Sequence, residues 1–496
     1  MPQHEELNTR NHQPHRSSRR VTSLSRRRLL SALLLTTTAT SFTVVQAYTP
    51  LSTCSLRQIP SSVSTSDFNI TGSNSLLAPI LIPRVPGTEG SRLVQKHFVE
   101  FFSTQLPDWT LEWQNSTSTT PVTGDEKIPF ANLILRRDPP WVVSSDIHNS
   151  DKGVGDGDGK KGLRNGKGKN GEKVSGEGDV KRLTLAAHYD SLYRPEGFIG
   201  AVDSAAPCAI LMAVARGVDA LLTRRWDEVA RRREERMEEL ESGLVDEEET
   251  EDEEEMKGVQ IVLFDGEEAW ERWTSTDSTY GSRYVVTITI VARELLLSVG
   301  LTMNFWRSVL IYSSFPPTRA LAEAWESSPY SASSTHSNRL ESISLLVLLD
   351  LLGAPNPRIP SYFWDTHSAY GNLAKIEDRL RNLGLLETAP PAPFLPDSKK
   401  PYNRFTRGYI QDDHVPFMER GVKVLHVIPT PFPKVWHTML DDGEHLDLPT
   451  VRDWAKIITA FVAEWMDLDG VLTEELKSCE GEEQKGGEGG TEKDEL

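Results

Sequence analysis

The stretch VLFDGEEAW, residues 262–270, joins an apolar run to a group of carboxylates. The apolar run is mostly β-branched, aliphatic and aromatic, a composition that packs well on the pleated surface of a strand. Asp265, Glu267 and Glu268 follow at once, and residues beyond the carboxyl end of a strand line the ligand crevice of an open α/β sheet. Adjacent carboxylates repel one another unless a cation or a proton lies between them. Taken alone, these acids are either solvated and idle or part of a metal site, with one as ligand and the other as base.

Three further apolar runs have the strand pattern and end close to polar residues: RLTLAAH (182–188), SISLLVLL (342–349) and VKVLHV (422–427). Because these runs are apolar on both faces, they predict buried strands of a parallel or mixed sheet that helices cover. The fold class we expect is therefore α/β, with a mixed, mostly parallel central sheet flanked by helices on both faces.

The residues near these strand ends form a donor set that suits a catalytic zinc ion. Asp203 precedes a helical run, Glu268 follows the strand of the opening stretch, and His437 lies beyond the last strand. Each alone is more often a hydrogen-bonding or helix-capping residue, but the topology of an α/β sheet gathers strand ends along one edge. Two carboxylates and an imidazole would leave the fourth position of a Zn²⁺ ion open. The adjacent Glu267 would then be free to move protons.

Composition favours a single core and argues against nucleic acid as a partner. The chain has 496 residues and a formal net charge of -18, with no zinc-finger spacing and no phosphate-binding loop motif, which disfavours a phosphate-binding surface. Stretches rich in Gly, Lys or Glu predict disordered insertions at about 151–179 and 231–257, and a low-complexity tail over 471–496. We expect one catalytic domain over residues 91–470, preceded by a lumenal linker over 48–90.

Both ends of the sequence carry targeting patterns. Residues 1–47 contain a basic region and then an apolar run, which predicts either a cleaved signal peptide or a membrane anchor with its basic end in the cytosol. Residues 493–496 are KDEL, the receptor-read retention signal of the endoplasmic reticulum. Sequons at Asn69 and Asn115 fit that route. The expected location is therefore the lumen of the endoplasmic reticulum, with the retention-signal receptor as a partner.

Seven blocks of the sequence, in order between about residues 183 and 468, resemble the glutaminyl-peptide cyclotransferases, or glutaminyl cyclases. The blocks are AAHYDS, GAVDSAAPCA, FDGEEAWERW, DSTYGSR, LLDLLGAPNP, IQDDHVPFMERGV and VLHVIPTPFPKVWHTMLDDGEHLD. The resemblance implies a zinc-exopeptidase-like fold with one Zn²⁺ per chain. It also implies conversion of the N-terminal glutamine of peptides and proteins to pyroglutamate, with loss of ammonia.

The same resemblance assigns roles to residues of the matching blocks. The zinc ligands would be Asp203, Glu268 and His437. Glu267 would be the general acid and base, with Asp350 and Asp412 in a carboxyl network beside it. The pocket for the glutaminyl side chain would be lined by Trp273, Gln411, Phe432 and Trp436. Secreted animal members have a cysteine where this chain has Ala187, so the disulfide that the family implies for Cys208 cannot form here.

Two rival functions fit part of this pattern. A two-metal aminopeptidase needs a strand-end histidine, a bridging aspartate, a glutamate pair, a further aspartate and a final histidine, which this chain has in His188, Asp203, Glu267, Glu268, Asp350 and His437. The Trp and Gln residues of the blocks EEAWERW, IQDDH and FPKVWHT instead suit a small amide substrate. The second rival is an inactive lumenal binding protein. Zinc content separates one metal from two, and turnover of a Gln-peptide separates an enzyme from an inactive relative.

Residues 284–319 are an apolar stretch that interrupts the resemblance. A membrane hairpin, an extra helix pair and an insertion foreign to the fold, such as a retained intron, are the three interpretations. Charged residues interrupt the stretch, neither half reaches about 20 apolar residues, and no cap or polar face completes a helix pair. We therefore favour an insertion that packs poorly, protrudes from the domain and contributes no site residue.

Overall fold

The computed structural model of the protein describes residues 48–143, 175–242, 256–282, 321–406 and 408–471. The predicted signal peptide or anchor, the apolar stretch 284–319 and the KDEL motif lie outside the described residues, as do residues 151–174 of the first predicted insertion. The fold and the site below rest on the described part of the chain alone.

The described strands form one six-stranded sheet, in the order β1–β2–β4–β3–β5–β6. Their bounds are Thr110–Thr119 (β1), Lys127–Arg137 (β2), Lys181–His188 (β3), Lys257–Phe264 (β4), Ile343–Leu349 (β5) and Val424–Val427 (β6). β1 pairs with β2 and β2 with β4 in antiparallel fashion, whereas the pairs β4–β3, β3–β5 and β5–β6 are parallel. This confirms the mixed, mostly parallel sheet, and β3 to β6 are the four strands that the sequence predicts.

The α-helices of the described residues are Thr53–Gln58 (α1), Glu89–Gln105 (α2), Ala206–Glu241 (α3), Leu321–Glu326 (α4), His367–Asn382 (α5), Val415–Met418 (α6) and Leu448–Trp465 (α7). The helical stretch Ala201–Arg236, most of which belongs to α3, is long and apolar enough to cross a membrane, but 78% of its most apolar part is buried inside the protein. A mostly buried apolar helix is typical of the core of a globular domain.

Successive side chains of the strands contact two different hydrophobic layers, because side chains alternate across a strand. Leu183 and Leu185 of β3 belong to the larger layer, which contains buried residues of α2, α3, α5 and α7. Ala186 of β3 belongs to the smaller layer, with Trp325 of α4 and Phe417 of α6. The sheet is therefore covered on both faces as predicted, but by long helices on one face and short ones on the other.

Residues 48–90 are part of the domain, so the prediction of a linker is wrong. Leu51, Phe68 and Leu77 are buried in the larger hydrophobic layer, and the backbone N–H of Leu51 donates to Glu464 in α7 at 3.0 Å. Burial of such side chains contributes about 25 cal/mol per Å² of apolar surface removed from water. The segment consists of short helices and turns without a long apolar period, which is why its sequence resembles a linker.

The described residues reach into two of the predicted internal insertions. Glu177 lies inside the predicted segment 151–179, yet it is buried and its carboxylate lies 3.5 Å from Arg136 Nη1. α3 extends through the first part of the segment 231–257 as far as Glu241, and β4 already begins at Lys257. Charged residues that continue a helix or pair with a buried cation are thus ordered despite their low-complexity surroundings.

Cys208, in the first turns of α3, is buried and forms no disulfide. Its thiol donates to the backbone carbonyl of His188 at 3.1 Å. This agrees with Ala187, which occupies the position of the cysteine that the resemblance would require. Contacts of α3 with β3 therefore hold this region together without a crosslink.

Candidate active site

The carboxyl ends of β3, β4 and β5 lie at one edge of the sheet, and three of the predicted site residues closely follow them. His188 ends β3, Glu267 and Glu268 follow β4, and Asp350 follows β5 directly. A cavity of about 1020 Å³ opens at this edge. Nine of the ten predicted site residues line it: Asp203, Glu267, Glu268, Trp273, Asp350, Gln411, Phe432, Trp436 and His437.

The three predicted metal ligands lie together at this cavity. Asp203, Glu268 and His437 offer ligand atoms that all lie within 4.8 Å of one another. Nε2 of His437 is 3.5 Å from Asp203 Oδ2 and 3.6 Å from Glu268 Oε2. Oε1 of Glu268 is buried and has no hydrogen-bond partner among the described residues, a costly state that a cation relieves. Two carboxylates and one imidazole with such an oxygen fit a Zn²⁺ ion.

The pKa values of Asp203, Glu268 and His437 indicate that the charges of these three residues compensate one another. Burial raises the pKa of Glu268 to about 8, and the neighbouring Asp203 adds to the rise. Burial also opposes the ionisation of Asp203, but hydrogen bonds with His188 and His437 lower its pKa below the ordinary value. Burial alone would lower the pKa of His437, yet hydrogen bonds to Asp203 and Glu268 raise it to about 10. A bound cation would take the place of the protons that this group otherwise retains.

His437 has a backbone conformation that few side chains adopt. Its φ is +56°, in the left-handed region that is uncommon for residues other than glycine. Trp436 stacks on its ring, with 3.8 Å between the ring centroids and an interplanar angle of 22°. Backbone strain of this kind persists where the surroundings fix it, and it is concentrated at functional sites.

The Glu267–Glu268 pair is held by a carboxylate from the neighbouring strand. Asp190 follows β3, and its Oδ1 and Oδ2 accept the backbone N–H groups of Glu267 and Glu268 at 3.0 and 3.1 Å. The same carboxylate lies 3.3 Å from Nδ1 of His188. Asp190 therefore fixes the backbone of both glutamates and the ring of His188 at once.

Glu267 itself is buried beside the metal-ligand group. Burial raises its pKa well above the ordinary value; His188 opposes the rise, while Asp412 adds to it. A carboxyl group whose pKa is raised toward neutrality suits proton transfer. The turn that delivers it needs Gly266, which has a φ of +75° and no room for a Cβ, because Phe130 Cδ1 would lie 2.3 Å away.

A second group of potential ligands adjoins the first. Nε2 of His188 lies 2.9 Å from Asp203 Oδ1 and 3.5 Å from Asp350 Oδ1, and these three residues could also hold a metal ion. The hydroxyl of Ser204 donates to Asp350. The residues that a two-metal aminopeptidase would use are therefore assembled as well, so the ligands alone do not separate the two functions.

Asp412 lies behind the cavity and does not line it. Its Oδ2 is 2.8 Å from Nε2 of His426. The ring of His414 packs against that of His426 at an interplanar angle of 47°, with 4.4 Å between the centroids. Burial, reinforced by Asp350, raises the pKa of Asp412 well above its ordinary value, and burial lowers the pKa of His426 to about 4. Both directions favour an uncharged carboxylic acid that donates to a neutral imidazole.

Aromatic side chains form the walls of the cavity. Trp273 and Trp436 are each 36% exposed, so a ligand in the cavity can contact both. Nε1 of Trp273 donates to the side-chain oxygen of Gln411 at 3.3 Å, and Phe432 packs edge-on against Trp436 with 4.8 Å between centroids. These four predicted pocket residues therefore form two contacting pairs.

Several supporting residues escape the sequence analysis. Asp190 lies in the block AAHYDS but is assigned no role from the sequence. An aspartate two residues after a strand-end histidine could have been recognised as a candidate site residue. Asp277 accepts the backbone N–H groups of Trp270, Glu271 and Arg272 at 2.9, 2.9 and 2.8 Å, and thereby fixes the loop that carries Trp273. Hydrogen bonds such as those of Asp277 join residues of the same loop. They produce no apolar periodicity, so the sequence gives no sign of them.

Comparison with known proteins gives a consistent match. The family model of peptidase family M28 matches residues 172–305 and 323–462. The gap between the two matched parts, 306–322, overlaps only the later part of the predicted insertion 284–319. The glutaminyl-peptide cyclotransferase of Bos taurus is 31% identical over 424 residues, which cover 84% of this chain and 87% of the relative. The enzyme of the same name from Gloydius blomhoffii is 31% identical over 399 residues, covering 79% of this chain and 80% of the relative. The crystal structure of Macrostomum lignano glutaminyl cyclase is similar at a TM-score of 0.55 and 25% identity, covering 86% of this chain and 96% of that one.

Proposed function

Because this chain belongs to the glutaminyl-peptide cyclotransferases of peptidase family M28, we propose that its cavity converts the N-terminal glutamine of peptides and proteins to pyroglutamate. The enzyme is then an acyltransferase whose acyl acceptor is the substrate's own α-amine. One observation supports the assignment most directly: the group Asp203, Glu268 and His437 lies next to a buried Glu267 in a cavity walled by Trp273. A small amide fits such walls better than a charged side chain does, since burying an ion without a partner is costly.

The proposed cofactor is one Zn²⁺ per chain, held by Asp203, Glu268 and His437. When bound, such an ion acts as a Lewis acid that polarises the γ-carbonyl of the glutaminyl side chain and stabilises the charge that develops on its oxygen. The donor set supports this role, and so does the buried Glu268 Oε1, which has no hydrogen-bond partner in the part of the chain that the structure describes.

The residues of the chain supply proton transfer and orientation. The α-amine nitrogen of the substrate forms a bond to the γ-carboxamide carbon, and the bond from that carbon to the amide nitrogen breaks. Glu267 takes a proton from the attacking amine and gives it to the leaving nitrogen, which departs as ammonia. We assign Asp350 and Asp412 to the buried carboxyl network beside Glu267, where burial is the main cause of the raised pKa of that glutamate.

Ring closure is intramolecular, so the pocket contributes mainly by holding a productive rotamer. Trp273, Gln411, Phe432 and Trp436 are the residues we assign to this task. Their faces cover the glutaminyl side chain and exclude water from it, and the open mouth of the cavity leaves the rest of the peptide in solvent.

The decisive experiment incubates the purified full chain with a peptide that begins with glutamine. We expect pyroglutamyl peptide by mass spectrometry and an equal amount of ammonia. The matched peptide that begins with glutamate should react far more slowly, because a carboxylate is a poor electrophile. A chelator should abolish turnover, and zinc should restore it.

Two other outcomes would overturn the assignment. Release of free amino acids from unblocked peptides, with two zinc ions per chain, would favour the aminopeptidase that the group His188, Asp203 and Asp350 would support. A folded, zinc-loaded chain without turnover of any peptide would favour an inactive binding protein.

We further propose that the enzyme works in the lumen of the endoplasmic reticulum and carries N-linked sugars. Asn69 and Asn115 of the two sequons are both exposed, which supports modification at these positions. Cell fractionation of the full chain and of a chain without residues 493–496 tests retention, and a mobility shift after glycosidase treatment tests the sugars. Secretion that is the same for both chains would contradict retention.

A further inference from the structure

Arg84 is a fully buried cation, 0% exposed, and the side-chain hydrogen bonds that it makes among the described residues all go to backbone carbonyls. These five carbonyls are those of Ile80, Ile82, Ile199, Gly200 and Asp203. The bonds from Nη2 to Gly200 and Asp203 are 2.9 and 3.4 Å long. Arg84 lies in the segment 48–90 and thus ties this segment to the turn that carries a proposed zinc ligand.

Placing such a cation in a dry interior is unfavourable. The effective penalty for burying an ion is several kcal/mol, which carbonyl dipoles offset only if they surround it closely. A guanidinium presents five N–H donors in a fixed planar fork, whereas an ammonium group has three donors around one point. The two Nη groups of Arg84 join carbonyls from two separate segments, and its buried Nε–H has no hydrogen-bond partner among the described residues.

The turn over residues 199–203 depends on such outside support. Gly200 has a φ of +63°, and a Cβ there would lie 2.1 Å from the carbonyl oxygen of Asp203. Asp441 accepts the backbone N–H of Val202 with its Oδ1 at 2.6 Å and that of Ala201 with its own carbonyl at 3.1 Å. Arg84 binds the carbonyls of the turn and Asp441 binds its N–H groups, so the backbone of Asp203 is fixed from both sides.

We infer that Arg84 is a positioning residue for Asp203, and that it sets the affinity of the site for zinc by holding the 199–203 turn. The inference rests on the proposed role of Asp203 as a zinc ligand. Carboxylate ligands must be presented in one geometry, and groups that orient ligands typically change metal affinity or activity by about 10- to 100-fold when they are altered. Arg84 acts through the backbone of the ligand and contacts neither the substrate nor the metal.

A second buried arginine provides a matched control. Arg182 is 1% exposed, and its guanidinium donates to both carboxylate oxygens of Asp138 at 2.9 and 2.6 Å. It lies near the start of β3, whereas the site lies beyond the end of that strand. If the role of Arg84 were purely structural, lysine substitutions at Arg84 and Arg182 would have the same kind of effect: a loss of stability without a change in zinc affinity.

The experiment measures the zinc dissociation constant of the full chain by competition with a chromophoric chelator. Arg84→Lys keeps the positive charge and loses the planar set of guanidinium donors. We therefore expect the zinc Kd to rise about 10- to 100-fold. Arg182→Lys should lower the midpoint of thermal unfolding and leave the zinc Kd at the wild-type value. At saturating zinc, Arg84→Lys should recover most of its turnover, which a general loss of folded protein would not allow.

A folded Arg84→Lys chain with the wild-type zinc Kd would overturn this inference alone, whereas a wild-type chain that binds no zinc would overturn the proposed cofactor and the inference together. If Arg84→Lys does not fold, Ser191→Ala decides in its place. The hydroxyl of Ser191 accepts the backbone N–H of Arg84 at 2.9 Å. Its loss should raise the zinc Kd about fivefold, the typical effect of one hydrogen bond, and an unchanged Kd would overturn the inference.

Discussion

The two ends of the parallel strands accommodate buried charge in opposite ways. Near the amino ends, arginines face carboxylates: Arg182 Nη2 lies 2.6 Å from Asp138 Oδ2, and Arg136 Nη2 lies 2.8 Å from Glu112 Oε2. At the carboxyl ends, buried carboxylates crowd together, and the nearby cation Arg84 is bound to carbonyls. The first end is compensated by partners that the chain supplies, whereas the second is left with a surplus of acid.

This difference separates stability from function along a single sheet. Charges that are paired and hydrogen-bonded need nothing from outside, so they can fix the fold in every state of the protein. Carboxylates that are buried together must retain protons or bind a cation, which makes their end of the sheet responsive to a ligand. Perturbed pKa values collect at functional sites for the same reason.

The largest effect should come from the glutamate pair at the acidic end. Glu267→Gln removes the group that moves the proton and keeps the proposed ligands, so we expect turnover to fall about 10²–10⁴-fold with zinc retained. Glu268→Gln should lose zinc affinity as well as turnover. Rates of pyroglutamate formation and zinc content per chain distinguish the two variants.

An equal loss of zinc in both variants would contradict this division of roles. It would show that both glutamates bind metal, and it would favour the two-metal aminopeptidase. The acidic end of the sheet would then hold two cations, and the opposite end would still be compensated by its own ion pairs.

The next largest effect should come from the amino ends of the parallel strands, where arginines pair with carboxylates. It should change stability and leave turnover unchanged. Arg182→Met leaves Asp138 without its partner, and breaking a buried pair in this way destabilises by about 3–5 kcal/mol. We expect that loss in the free energy of unfolding by urea, with kcat/KM of the folded protein unchanged. A drop in kcat/KM at full folding would mean that the two ends are coupled through β3.

A smaller effect should follow from the carboxylate that fixes both glutamates. Asp190→Asn keeps one oxygen acceptor and replaces the other with an amide donor, so one of the two backbone bonds to Glu267 and Glu268 is lost. We expect kcat/KM to fall about 10- to 100-fold, in the range typical of groups that orient a metal site. Asp277→Asn, which similarly alters a carboxylate that fixes the Trp273 loop, serves as the control and should raise KM more than it lowers kcat.

The smallest effect should come from removing residues 284–319. The backbone N–H of Leu321 donates to the carbonyl of Gly281 at 3.2 Å, so the described chain on the two sides of this stretch meets at one point. A deletion there can be closed without moving the sheet. We expect unchanged zinc binding and cyclisation together with a higher soluble yield, and failure of the deletion variant to fold would identify the stretch as part of the core.

The sequence predicts the centre of this molecule better than its borders. β3 to β6 are apolar on both faces, and polar residues follow them. The strands and the positions where they end can therefore be recognised from the sequence. β1 is not predicted, because TLEWQNSTST is mostly polar and an edge strand needs little apolar surface. β2, KIPFANLILRR, is also not predicted, although it contains a buried apolar run. The segment 48–90 was assigned wrongly for a related reason, since its burial comes from isolated apolar residues in short turns.

The same contrast holds within the site. Asp203, Glu268 and His437 follow from the chemistry of strand ends, and the structure brings them together. Arg84 and Asp441 act on the backbone of one turn from positions 119 and 239 residues distant in sequence from its residues Asp203 and Val202. Neither is a ligand nor part of a periodic pattern, so only the folded chain reveals what they support.

The position of β1 at the border of the sheet also bears on aggregation. A border strand presents a row of backbone donors and acceptors that can pair with a strand of another molecule. The opposite border, β6, is only four residues long and offers little to pair with. β1 has ten residues, and its hydrophilic side chains disfavour such pairing. A sugar on the exposed Asn115, near the middle of β1, would add bulk where a second molecule would otherwise extend the sheet.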